Sequence, residues 1–179
     1  MKKKALYAYA GLLLLTICSF VFPHRTFTVL LPAYMIAVPL LLGARINVSF
    51  SARDIGLGLA VSAAVLVPFA LAFTDLAVLG TVTAHSLMVR FFLVALPEEA
   101  FFRGFLQEVL GNNVKGVLAV SLLFWVAHLP SVGFQGEMTA LLTFFPSLVM
   151  GLLYMRTSNI ATPAIFHLLS NVAFSAFVI

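Results

Sequence analysis

The 179-residue chain is 63% hydrophobic and only 9% charged, with 18 Phe and a mean hydropathy of +1.13. That is far more apolar than a soluble domain of this length needs for its core, so the composition excludes a water-soluble globular protein and points to a membrane protein. The net charge of +4 and pI near 9.6 come without a clustered basic face, which argues against a nucleic-acid partner, and the single Cys18 supplies neither a disulfide framework nor a thiolate metal site.

A helix needs about 20 apolar residues to cross a hydrocarbon core roughly 30 Å thick. Seven such runs are predicted, at approximately Ala5–Phe22, Phe27–Ala44, Ile55–Phe73, Val78–Leu110, Val117–Pro130, Met138–Met155 and Ile160–Ile179. The opening Met-Lys-Lys-Lys before an apolar run imitates a secretory signal, but no Ala-x-Ala-like cleavage site follows, so an uncleaved anchor is expected. The fourth run is too long for one straight span. It either tilts or lays the stretch after Arg103 along the interface, and Gly111, Asn112 and Asn113 mark its end. With the N-terminus in the cytoplasm and alternating spans, Lys2, Lys3, Lys4, Arg45, Arg53, Arg103, Lys115 and Arg156 fall on the cytoplasmic side, so eight of ten basic residues obey the positive-inside rule. Short loops without linkers or repeats predict one integral membrane domain over residues 1–179, an all-α polytopic helical bundle in a plasma (inner) membrane.

Charged groups at bilayer depth cost a few kcal/mol or more, so they face a protein interior and are functional by default. Three clusters qualify: Glu98, Glu99 and Arg103 in "PEEAFFR", Phe124 and His128 in "FWVAH", and His167 and Asn171 in "HLLSN". Counted at 1.5 Å per residue from the proposed cytoplasmic ends, Glu98, His128 and His167 all lie roughly 12–20 Å deep, which is one common layer. Glu99 and Arg103 are i, i+4 and can pair along one face, as can His167 and Asn171, whereas Glu98 is rotated about 100° from Glu99. Pro97 removes a backbone hydrogen bond to residue 93, which opens or kinks a helix. Against these functional readings stands a polar network that merely joins helices.

In order and spacing the three clusters match EExxxR, FxxxH and HxxxN. The chain from about residue 85 to 179 thereby resembles the CAAX-protease and bacteriocin-processing family of intramembrane proteases, which includes the Ras-converting CAAX endopeptidase. Residues 1 to about 80 carry none of its motifs. The resemblance implies a glutamate-dependent endopeptidase acting near the membrane segment or C-terminus of a membrane-associated protein or peptide, with the lipid bilayer as its other partner and no cofactor. It further implies that Glu98 activates water with help from His128, that His167 and Asn171 stabilise the oxyanion, and that Glu99 and Arg103 hold the helix and tune Glu98. A carboxylate in apolar surroundings is a better proton acceptor than a hydrated one, and two donors on one helix face suit an oxyanion.

Two further residues are candidates for substrate binding. Arg90, two turns before Glu98, either meets an anionic substrate group, snorkels to the outer interface or pairs with Glu99. Phe124 either contacts substrate or packs beneath His128 and fixes its rotamer. The nearest alternative chemistry is a zinc protease in which Glu98, His128 and His167 form a His₂Glu set, although HExxH is absent. No GxGD or GxSG-like signature appears, and Asp54 and Asp75 sit at span boundaries, which disfavours aspartyl and rhomboid-type mechanisms. From another class, the polar layer would serve a small transporter or a silent immunity or scaffold protein.

Overall fold

The computed structural model describes residues 1–72 and 82–175, and among these it contains helices and no strand. Seven helical segments follow one another: α1 (Lys2–Val21), α2 (Phe27–Leu41), α3 (Ala52–Ala72), a long α4 over residues 84–110, α5 (Val114–Gln135), α6 (Phe144–Thr157) and α7 (Ala161–Ser175). A 3₁₀ segment, Met138–Thr143, leads into α6. α1, α3, α5 and the run Met138–Thr157 are long and apolar enough to cross a membrane, and α2 is a shorter apolar helix. Asp75, the first residues of the predicted fourth run and residues 176–179 lie outside the described residues.

Two expectations are revised. The fifth run does not stop at Pro130; the helix continues to Gln135 and closes at Gly136, whose left-handed φ of +70° lets its N–H return to the Val132 carbonyl. Nor does the stretch after Arg103 lie along an interface, because every residue of Ala100–Gln107 is buried inside the bundle.

α4 changes its winding along its length. Pro97 has no N–H to give back to the preceding turn, and just ahead of it the backbone widens into a π-helical turn, Phe91–Ala95, in which the Leu96 N–H reaches back to the Phe91 carbonyl. A second π segment, Ala100–Gln107, follows the short α-helical turn that carries Glu98 and Glu99. The two carboxylates therefore sit between two widened turns in the middle of the bundle.

Lipid offers no hydrophobic drive between helices, so contact rests on close approach and on polar ties. α3 packs chiefly on α7, and α5 packs on α6. At Gly58 in α3 a Cβ would lie 3.0 Å from the Thr162 carbonyl oxygen of α7, and at Gly151 in α6 it would meet Val117 of α5 at 2.7 Å. Tyr9 donates to the Leu123 carbonyl at 2.7 Å, tying α1 to α5, and Tyr34 of α2 donates to the Ala8 carbonyl at 2.9 Å.

At the lysine-bearing end a single buried amide joins distant parts of the chain. Asn159 donates to the Ser49 carbonyl at 2.6 Å and to Asp54 at 3.1 Å, while its Oδ1 accepts from the Ser49 and Ala161 N–H groups. Losing it removes four hydrogen bonds, one of them to the buried Ala161 N–H, and each is worth about 0.5–1.5 kcal/mol net. Asn159→Ala is expected to destabilise the purified protein by at least about 2 kcal/mol, read as a lowered melting temperature in detergent, whereas Asn47→Ala at the exposed end of the same segment changes it little.

Candidate active site

Three helices bring the polar clusters together. Arg103 of α4 has no exposed surface; its guanidinium lies 3.2 Å from Glu99 Oε2, one turn back on the same helix. Nε and Oε2 are close enough for an ion pair but lack hydrogen-bond alignment. A second nitrogen donates to the Ser147 hydroxyl at 3.0 Å and to its carbonyl at 3.3 Å, which anchors α4 to α6. The guanidinium carbon stands 5.3 Å from the Phe124 ring centroid, within cation–π range. Arg103 is thus held by a charge, a hydroxyl and a ring from three helices.

Glu99 is committed at both oxygens. While Oε2 faces Arg103, Oε1 is 2.9 Å from His167 Nδ1 on α7. An ionised carboxylate only accepts, so Nδ1 of His167 carries the hydrogen of this bond. The other ring nitrogen, Nε2, then points towards Glu98 Oε2 at 3.6 Å. Glu98 retains 16% of its side-chain exposure where Glu99 and Arg103 have none. Charge counting gives this set one distinctive feature: Arg103 and Glu99 carry opposite charges that cancel within the low-dielectric interior.

Phe124 organises the imidazoles. Its ring lies 4.4 Å from that of His128 and 5.8 Å, edge-on, from that of His167. The Phe124 carbonyl is 2.8 Å from His128 Nδ1, and because a carbonyl only accepts, Nδ1 bears the hydrogen and Nε2 of neutral His128 keeps its lone pair. Ser131 then donates to the His128 carbonyl at 2.7 Å.

Two cavities meet at this layer. One, of about 220 Å³, lies between α1, α2 and α5 and reaches Glu98 past Leu12, Thr16 and Met35. The other, of about 150 Å³, lies between α5, α6 and α7 and is lined by His167, Asn171 and Phe124. His128, Ser131 and Glu137 border both. Glu98 therefore faces one chamber, the His167 and Asn171 pair the other, and His128 stands on their shared wall.

The sequence candidates are placed as follows. Glu98, Glu99, Arg103 and His167 form one continuous chain of contacts, with Phe124 and His128 packed against it. Asn171, one turn beyond His167, lines the second chamber, and its carbonyl accepts from Arg90 at 2.9 Å. Arg90 thus neither pairs with Glu99, whose oxygens are taken, nor lines either chamber. Among the described residues no three His, Cys, Asp or Glu side chains converge closely enough to hold a metal ion, so Glu98, His128 and His167 are not gathered as a ligand set.

Sequence reasoning missed three participants. Ser147 anchors Arg103 but looks like any serine in an apolar run. Glu137 borders both chambers from the loop after α5, where a carboxylate is unremarkable. Gln107, buried and bonded to the Gly151 carbonyl at 3.0 Å, extends the i, i+4 series Glu99, Arg103, Gln107, and that spacing is a signal that was available.

Removing the Arg103 charge while Glu99 stays buried should cost about 3–5 kcal/mol. Arg103→Leu is expected to lose most folded protein in size-exclusion chromatography, and Ser147→Ala, which removes one neutral acceptor, to lower stability by only about 1 kcal/mol.

A family model described as type II CAAX prenyl endopeptidase Rce1-like matches residues 80–173, just over half of the chain and the whole of this polar layer. No curated protein and no solved structure matches the chain.

Proposed function

Because the chain belongs to the Rce1-like family of type II CAAX prenyl endopeptidases and is a multi-pass membrane peptide hydrolase, we propose that Glu98 is its general base, cleaving a peptide bond near the membrane segment or C-terminus of a membrane-associated substrate. The observation that carries this reading is the division of labour between adjacent carboxylates: Glu99 is spent on Arg103 and His167, while Glu98 alone opens onto a chamber.

In the proposed reaction Glu98 takes a proton from water, and His128 Nε2 accepts the other water hydrogen to aim the oxygen. The oxygen bonds to the scissile carbonyl carbon. Charge that develops on the carbonyl oxygen is met by Nε2–H of His167 and by the Asn171 amide. The C–N bond then breaks as the proton on Glu98 passes to the leaving amine, giving a new carboxyl terminus and a new amino terminus. Phe124 fixes the His128 rotamer, and Arg90 positions Asn171 through its carbonyl. The proposed scheme calls on no metal or other cofactor.

The deciding experiment is quantitative mass spectrometry of peptide termini in membranes holding equal amounts of native protein or Glu98→Gln. Specific new termini should disappear in the variant; unchanged termini would overturn the general-base role. Asn171→Ala is expected to slow cleavage by about 10²–10³-fold, the usual loss on removing one oxyanion donor. Activity of the purified protein should survive strong chelators, and its loss with recovery on adding zinc would instead support the His₂Glu alternative.

A further inference from the structure

Hydroxyls on the helices of this bundle satisfy themselves locally. Thr16, Ser62 and Thr157 each donate to the carbonyl four residues back, at 3.0, 2.7 and 2.9 Å, and Ser19 and Ser175 do so over three residues. In apolar surroundings that is the nearest acceptor a serine or threonine can find. Ser170 of α7 departs from this habit. It is 2% exposed, and its buried hydroxyl meets no hydrogen-bond partner.

A buried hydroxyl left unsatisfied is a net cost to folding, and an alanine in its place would remove that cost. Position separates Ser170 from the other hydroxyls in this condition. Ser121 and Thr162 are also buried and unpartnered, but they line neither chamber, whereas Ser170 lines the chamber of His167 and Asn171. Within that chamber Ser131 and Thr143 are already committed, donating to the His128 and Ala140 carbonyls at 2.7 Å each. Turning the Ser170 hydroxyl about its single χ angle towards a group in the chamber breaks no hydrogen bond.

Helical winding puts it beside the right neighbours. Ser170 follows His167 by three residues and Asn171 by four, so at about 100° per residue the two flank the His167 direction, about 60° to one side and about 40° to the other. Arg90 pins this turn of α7 by donating to the Asn171 carbonyl at 2.9 Å. Three polar side chains on one face of a fixed helix thus border a single chamber.

We propose that the Ser170 hydroxyl is a third donor to the carbonyl oxygen of the scissile peptide bond, beside His167 Nε2–H and the Asn171 amide. It donates most strongly when that oxygen becomes anionic, so its contribution falls on the transition state more than on binding. The proposal rests on the general-base reading above and names one more catalytic residue for the same chamber.

The test uses the whole chain purified in detergent and a synthetic peptide spanning a cleavage site whose new termini vanish in Glu98→Gln. Ser170→Ala is expected to lower kcat by about 10²-fold with KM little changed, while its melting temperature stays the same or rises. Ser121→Ala, which removes a buried unpartnered hydroxyl away from both chambers, should keep kcat within about threefold of native. The proposal is overturned by a Ser170→Ala kcat within that same range, by an equal loss in Ser121→Ala, or by a lowered melting temperature in Ser170→Ala, which would mark a hydroxyl that holds the fold. Were no termini to depend on Glu98, the general-base reading would fall and this proposal with it. Glu98-dependent cleavage that Ser170→Ala performs at the native rate removes this proposal alone.

Discussion

Arg103 is a full positive charge with no exposed surface, in a helix whose neighbours are mostly phenylalanine and leucine. An isolated ion there would face an idealised penalty on the order of 20 kcal/mol, so its surroundings are fixed by the need to offset it. Glu99 supplies the opposite charge from one turn away, Ser147 supplies acceptors from α6, and Phe124 turns a ring face from α5. Each of those helices is thereby held at a set rotation. The same rotation of α5 places His128 on the chamber wall, and the second oxygen of Glu99 orients His167. A structural charge pair and a reactive layer are thus one assembly, and the rigidity of the first supplies the preorganisation that the second requires.

Much of this was legible in the residues. The i, i+4 relation of Glu99 and Arg103 is local, so helical periodicity alone predicts their contact, and counting depth along three apolar runs places Glu98, His128 and His167 in one layer. Relations between helices were less accessible. That Arg103 would choose Ser147, or Arg90 the Asn171 carbonyl, depends on helix rotation and crossing, which one sequence does not encode in any short pattern. The two π segments matter here as well: reckoning at 100° per residue assumes i→i+4 winding, and widened turns on both sides of Glu98 shift where neighbouring side chains point. The division into two chambers with His128 between them is a property of packing, and no spacing of residues announces it.

Residues 1 to about 72 carry no motif and fall outside the region matched by the family model, yet they complete the site. α1 and α2 supply Leu12, Thr16, Phe20, Leu31 and Met35 to the wall of the Glu98 chamber; Tyr9 ties α1 to α5, and Tyr34 ties α2 to α1, through backbone carbonyls. Sequence patterns mark chemistry; the surface that shapes access to it consists of interchangeable apolar side chains.

The pairing of α3 with α7 has a consequence for how the protein is made. The two helices meet through Gly58 and Thr162 and are clasped by Asn159, yet about a hundred residues of chain separate them. During synthesis α3 enters the bilayer long before its partner exists, and its small-residue face must wait among lipid tails or provisional neighbours. Insertion and assembly are therefore separate events, and the loop that must close between them is the kind of long-range contact that slows folding. His167 arrives with this late partner of α3, so the polar layer is complete only once that distant pairing has formed.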